Sequence, residues 1–128
     1  MKKLLALLVS LFAAASVMAG EYPDISVADL KKAIADKKAV VIDVNGSDSW
    51  KAGHVPTAID FDALKDGLKD KLPADKKTLI VAYCGGPRCN AYTAAANAAK
   101  ELGYTNVKHL SAGISGWKAA GEKTEAGK

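Results

Sequence analysis

The chain has 128 residues, 18 of them basic and 14 acidic, with 49% hydrophobic residues and two cysteines. That length suits one domain, and its lysines and arginines are scattered rather than interleaved with aromatics, which argues against a nucleic-acid partner. The first nineteen residues read apart from the rest. Met1-Lys2-Lys3 is a basic start, Leu4–Val9 and Leu11–Ala15 form a short apolar stretch, and Val17-Met18-Ala19 supplies small or tolerated residues at a cleavage site. This is the pattern of a secretory signal peptide cut after Ala19, and the stretch is short for a membrane anchor. The mature chain is then residues 20–128, periplasmic or secreted, with no membrane partner after cleavage. Removing Lys2 and Lys3 leaves 16 basic residues against 14 acidic ones, so the mature net charge is +2.

Helices and strands alternate along the mature chain. Ser26 is placed to cap a first helix whose face carries Leu30, Ala33 and Ile34. Ala39–Val44 is a continuous apolar run, as expected of a strand covered on both faces. Asn45–Asp48 reads as a turn, Ser49–Ala52 as a short helix ended by Gly53, and Ala58–Phe61 as a weak strand. Leu64, Leu68 and Leu72 share a helix face up to Pro73. Thr78–Tyr83 is the second buried strand. Asn90–Leu102 is an alanine-rich helix stopped by Gly103, Asn106–Leu110 a short strand, and Ile114–Ala120 a last helix carrying Trp117. The charged segment Glu122–Lys128 reads as a frayed tail. This alternation predicts an α/β fold, a mostly parallel sheet with helices on both faces, whose reactive groups collect at the carboxyl ends of the strands.

The segment that carries chemistry is Tyr83-Cys84-Gly85-Gly86-Pro87-Arg88-Cys89-Asn90. It places a cysteine where a buried strand ends and a helix begins, among converging backbone N–H groups, which is a way to make a reactive thiolate without a histidine. An exported chain meets an oxidising compartment, so Cys84 and Cys89 are free to pair. A pair this close gains little loop-closure entropy, and its position favours chemistry over stapling. His54 and His109 complete a nominal Cys2His2 set, but its spacing matches no zinc pattern, and no metal or other cofactor is expected. Trp50 and Trp117 read as packing anchors, Tyr83 as a packing residue, Asp43 and His54 as structural, with His54 near the pocket border.

Three segments together resemble the rhodanese-like sulfurtransferases. They are Val41-Ile42-Asp43-Val44 followed by Trp50 and Gly53-His54-Val55-Pro56-Thr57-Ala58-Ile59, then Tyr83-Cys84 with its loop and the helix running to Leu102-Gly103-Tyr104, then Val107–Trp117 with Ser111-Ala112-Gly113-Ile114. The resemblance covers residues 26–120 and implies the three-layer rhodanese-like fold. It also implies that Cys84 is the nucleophile, taking the outer sulfur of a donor such as thiosulfate or polysulfide as a persulfide and handing it to cyanide or a thiol. In such a site, amides of Gly85, Gly86, Arg88, Cys89 and Asn90 would line an anion cradle, with Arg88 adding a cation. The chain departs from the family's pattern in several places. Cys89 stands where the family has Arg and Asn90 where it has Ser. Asn45 replaces the Arg after Asp-Val, so Asp43 needs other partners, and Ala112 replaces a Gly. Asn90 also stands where related phosphatases carry their Arg, which disfavours phosphatase activity. Two alternatives use the same loop. Cys89 is a candidate resolving cysteine, making the protein a dithiol component served by a redox partner protein. The other alternative is a non-catalytic module that binds sulfur compounds or anions.

Overall fold

The computed structural model describes residues 22–127, and the expected signal peptide lies outside the described residues. Strands β1 (Ala39–Asp43), β2 (Ile59–Asp60), β3 (Leu79–Tyr83) and β4 (Val107–His109) form one parallel sheet in the order β2-β1-β3-β4. The two continuous apolar runs take the two central places. In register, Val41 lies beside Val81 and Asp43 beside Tyr83, while Ala82 lies beside His109.

Alternation along the strands divides the core in two. Val41, Val81 and Tyr83 point to one face, where Leu30, Val55, Leu110 and Trp117 complete a buried cluster. Ile42, Ile80 and Ala82 point to the other, against Leu68, Leu72, Tyr92, Ala95, Ala96 and Ala99. Helices α1 (Val27–Ala35), which carries Leu30, and α5 (Gly113–Ala119), which carries Trp117, therefore cover the first face. Helix α4 (Tyr92–Glu101) covers the second, together with α3 (Phe61–Leu64) and the 3-10 segment Lys65–Lys71. Ala95, Ala96 and Ala99 are fully buried, so small side chains set the close approach of α4 to the sheet.

Local chemistry explains most element ends. Ser26 caps α1 by accepting from the Asp29 N–H at 3.0 Å. Helix α2 (Ser47–Ala52) begins two residues earlier than the sequence predicts. There Ser47 Oγ donates to Asp60 Oδ2 at 2.6 Å, drawing the expected turn into the helix. Asp60 also ends β2 early, because its Oδ1 accepts the Asp62 N–H at 3.1 Å and starts α3. The expected helix through Leu64, Leu68 and Leu72 is mostly 3-10. Gly67 weakens an α-helical segment there, yet Leu68 and Leu72 remain buried. Helix α4 starts at Tyr92 rather than Asn90, because the Asn90 carbonyl is spent in a turn on the Thr93 N–H (3.1 Å) and hydroxyl (2.7 Å).

The tail is docked, contrary to the frayed end expected from its charge. Glu125 and His54 exchange both backbone bonds at 2.9 Å, and Gly127 N–H donates to Lys51 O at 3.0 Å. Trp117 Nε1 donates to Lys123 O at 2.7 Å. Backbone pairing and a buried indole donor outweigh the solvation of a few lysines and glutamates.

Candidate active site

Cys84 directly follows β3 at the carboxyl end of the sheet and is 1% exposed. Its carbonyl accepts from Ile114 N–H at 3.0 Å, and that of Gly85 accepts from Ser115 N–H at 3.0 Å. The first turn of α5 thus grips the start of the loop. Gly113 opens that turn with φ +64°, and a Cβ there would lie 2.5 Å from the Gly85 carbonyl carbon. Only glycine fits so close an approach in that backbone conformation. The sequence marks Gly113 only as part of the segment Ser111-Ala112-Gly113-Ile114 and not for this role, because the contact that creates it is tertiary.

Cys84 and Cys89 are joined in a disulfide, their Cα atoms 6.2 Å apart. The loop between them bends so that Cys89 N–H donates to Gly86 O at 3.2 Å. That amide is therefore occupied and leaves the expected cradle, while Gly85, Gly86, Arg88 and Asn90 stay in the loop around the bond. Gly85 and Gly86 are half-buried, as is Cys89, whereas Arg88 and Asn90 are exposed. Arg88 forms no ion pair among the described residues.

Behind the loop, Asp43 finds the partners that Asn45 cannot offer as a cation. It is buried, and its Oδ2 accepts from Tyr83 OH at 2.5 Å while Oδ1 accepts from Asn45 N–H at 2.7 Å. Tyr83 OH in turn accepts from Val55 N–H at 3.0 Å. Burial pushes the Asp43 carboxyl above its ordinary range, opposed by these donors. Burial and the adjoining Asp43 push the Tyr83 phenol far up. Tyr83 and Asp43 are structural, as expected, though Tyr83 braces by hydrogen bonds as well as packing. His54 is buried. It stacks on Trp50 at 4.1 Å between ring centroids and donates from Nδ1 to Trp50 O at 2.7 Å. Both tryptophans are anchors, Trp50 Nε1 donating to Ala58 O at 2.9 Å. Among the described residues no three His, Cys, Asp or Glu side chains are grouped to hold a metal, and no helix is long and apolar enough to cross a membrane.

A polar cleft of about 630 Å³ lies beside the loop, lined by Cys89 and Arg88 together with Tyr22, Asp24, Tyr92, His109 and Ser111. Tyr92 stacks on His109 with centroids 3.4 Å apart, and Tyr22 meets Tyr92 edge-on at 6.4 Å. The residues that complete this cleft carry no local motif. Residues Tyr22–Asp24 reach it because His109 N–H donates to Pro23 O at 2.8 Å and Ile25 N–H to His109 O at 2.9 Å.

Comparison with known proteins agrees with this architecture. The chain is 32% identical over 117 residues to the HTH-type transcriptional regulator Rv0324 of Mycobacterium tuberculosis, covering 90% of this chain and 50% of that protein. It spans between 27% and 50% of the length of the curated relatives it matches first. Among solved structures it resembles the BH2092 protein from Bacillus halodurans, with TM-score 0.65, 30% identity and coverage of 89% and 84% of the two chains. It also shares the fold of SseA from Escherichia coli, a 3-mercaptopyruvate sulfotransferase, with TM-score 0.64, 20% identity and coverage of 81% and 50%. The Rhodanese-like domain family matches residues 26–120, from the cap of α1 to the end of α5. With strand order, cysteine-bearing loop and family match in agreement, the chain belongs to the rhodanese-like domain family.

Proposed function

We propose that this protein is an exported sulfurtransferase in which Cys84, once reduced, carries sulfane sulfur. The observation that carries the reading is the place of Cys84, at the carboxyl end of a central strand and inside a glycine loop held by α5. In the reaction, the Cys84 thiolate attacks the outer sulfur of thiosulfate or a polysulfide. The S–S bond of the donor breaks, its electron pair leaves with sulfite or the shortened polysulfide, and a persulfide remains on Cys84. Loop amides and Arg88 favour the negative charge on each species. Cyanide or a thiol then takes the outer sulfur.

The Cys84–Cys89 bond favours a second reading, a dithiol cycle. The Cys89 thiolate attacks the Cys84 Sγ of the persulfide, the disulfide forms and hydrosulfide leaves. The sulfane sulfur is reduced while the two thiols are oxidised, and a thiol reductant must restore them. Intact mass of the reduced protein after thiosulfate or polysulfide tests both. A gain of one sulfur, lost on adding cyanide and absent in Cys84→Ser, is expected of the sulfurtransferase. Loading in Cys84→Ser would overturn it. Under the dithiol cycle the wild type instead loses two hydrogens and releases sulfide, and Cys89→Ser accumulates the persulfide without release. Turnover to sulfide in Cys89→Ser equal to wild type would remove the cycle.

A further inference from the structure

A dithiol cycle needs a reductant that reopens the disulfide, and the two sulfurs stand in different surroundings. Cys84 is 1% exposed and does not line the cleft, whereas Cys89 is half-buried and forms part of the cleft wall. A thiolate arriving from solvent therefore meets Cys89 Sγ. The cleft around it has the volume of a small-ligand site rather than of a protein interface. It is polar and carries both signs, with Arg88 and Asp24 both in its lining. Asp24 spends Oδ1 on Ser111 N–H at 2.9 Å, which fixes the carboxylate at the cleft edge. Tyr92 and His109 also line the cleft, stacked flat on each other and both buried, with Tyr22 edge-on to Tyr92 and tied to α4 by donating to Asn97 Oδ1 at 2.5 Å. A ligand complementary to this lining is small and carries both an ammonium group and a carboxylate.

From this arrangement we infer that the cleft beside Cys89 binds a low-molecular-weight zwitterionic thiol, which opens the Cys84–Cys89 bond by attack on Cys89. The thiolate of the ligand bonds to Cys89 Sγ, the Cys84–Cys89 bond breaks, and its electron pair leaves on Cys84 Sγ. A second molecule of the thiol then attacks the ligand sulfur of the mixed disulfide, releasing the oxidised ligand and the Cys89 thiolate. Two thiols of the ligand are oxidised and one protein disulfide is reduced. The order has a chemical consequence: the first bond broken frees Cys84, the sulfur carrier, while Cys89 is still capped. A sulfur donor present at that moment loads Cys84 without interference from Cys89.

The test mixes oxidised protein with reduced glutathione, quenches with excess N-ethylmaleimide after a short interval, then digests with trypsin, which cuts after Arg88 and separates the two cysteines. Glutathione on the Cys89 peptide with maleimide on the Cys84 peptide is expected, and glutathione on the Cys84 peptide would overturn the inference. Opening by glutathione should exceed that by 2-mercaptoethanol by about tenfold at equal thiolate concentration, and Arg88→Gln should remove most of that margin. Equal rates for the two thiols, or opening only by a thioredoxin-type dithiol protein, would also overturn it. The inference rests on the dithiol reading, and the two fail separately. Sulfur loading of reduced Cys89→Ser does not involve the cleft thiol, so loss of loading there counts against the sulfur-carrier assignment of Cys84 alone.

Discussion

At the residue scale, the loop owes its shape to one glycine outside it. Gly113 lets α5 start against the Gly85 carbonyl, which brings the amides of Ile114 and Ser115 onto the carbonyls of Cys84 and Gly85. A side chain at φ +64° costs about 1–2 kcal/mol, and the overlap with Gly85 adds about as much again. Gly113→Ala is therefore expected to lower stability by about 2–4 kcal/mol in urea unfolding and to slow sulfur loading of Cys84, because the loop must move to make room. Stability and loading equal to wild type would show that the loop does not depend on this contact.

At the element scale, β1 and β3 are tied to the segment before β2 by a buried chain running from Asp43 through Tyr83 OH to Val55 N–H. Tyr83→Phe leaves a buried carboxylate oxygen and a buried N–H without partners, an expected loss of about 2–4 kcal/mol. The pH dependence follows from the direction of the shifts. Tyr83 is held far above its ordinary value in the folded chain, so its contribution is complete below about pH 10, where an unfolded tyrosine begins to ionise, and is lost as pH rises beyond that. Asp43 is also raised, so its protonated form favours folding at pH below the ordinary carboxylate value of about 4, and that contribution fades as pH climbs through the raised folded value. Urea midpoints measured from pH 8 to 11 should fall for the wild type and fall less steeply for Tyr83→Phe. Parallel profiles would mean that Tyr83 does not couple folding to alkali.

At the scale of the whole molecule, the chain closes on itself through its last residues. The tail 122–127 pairs with His54, satisfies the Trp117 indole, and bonds Lys31 to Glu122 at 3.1 Å. Gly127 also packs against the Trp50 ring, with no room for a Cβ. Trp117 is 2% exposed, so ending the chain after Gly121 leaves a buried N–H without its acceptor and removes two backbone pairings. A fall in melting temperature of about 10 °C or more is expected. An unchanged melting temperature would return the tail to the frayed end that its charge predicts.

Much of this fold is legible in the amino-acid sequence. The two continuous apolar runs have the length and composition of strands buried on both faces, and they occupy the two central places of the sheet. Ser26, Gly103 and the alanines of α4 act through local conformation and size, which a sequence carries openly. The cysteine loop is legible for the same reason, since a cysteine between a buried run and a helix has a defined place in a parallel α/β sheet. What the sequence leaves open depends on distance. Whether Cys84 and Cys89 pair, where Asp43 finds donors without an arginine beside it, and whether a charged tail docks are decided by how the chain closes in three dimensions. Tyr83 lies 40 residues from Asp43, and Tyr22 reaches the loop only because its neighbours add to the edge of β4. No local pattern encodes such contacts, because they form only when the sheet brings separate segments to one edge. The place of the proposed sulfur carrier is therefore readable from sequence, and the surroundings that set its partners are decided by tertiary structure.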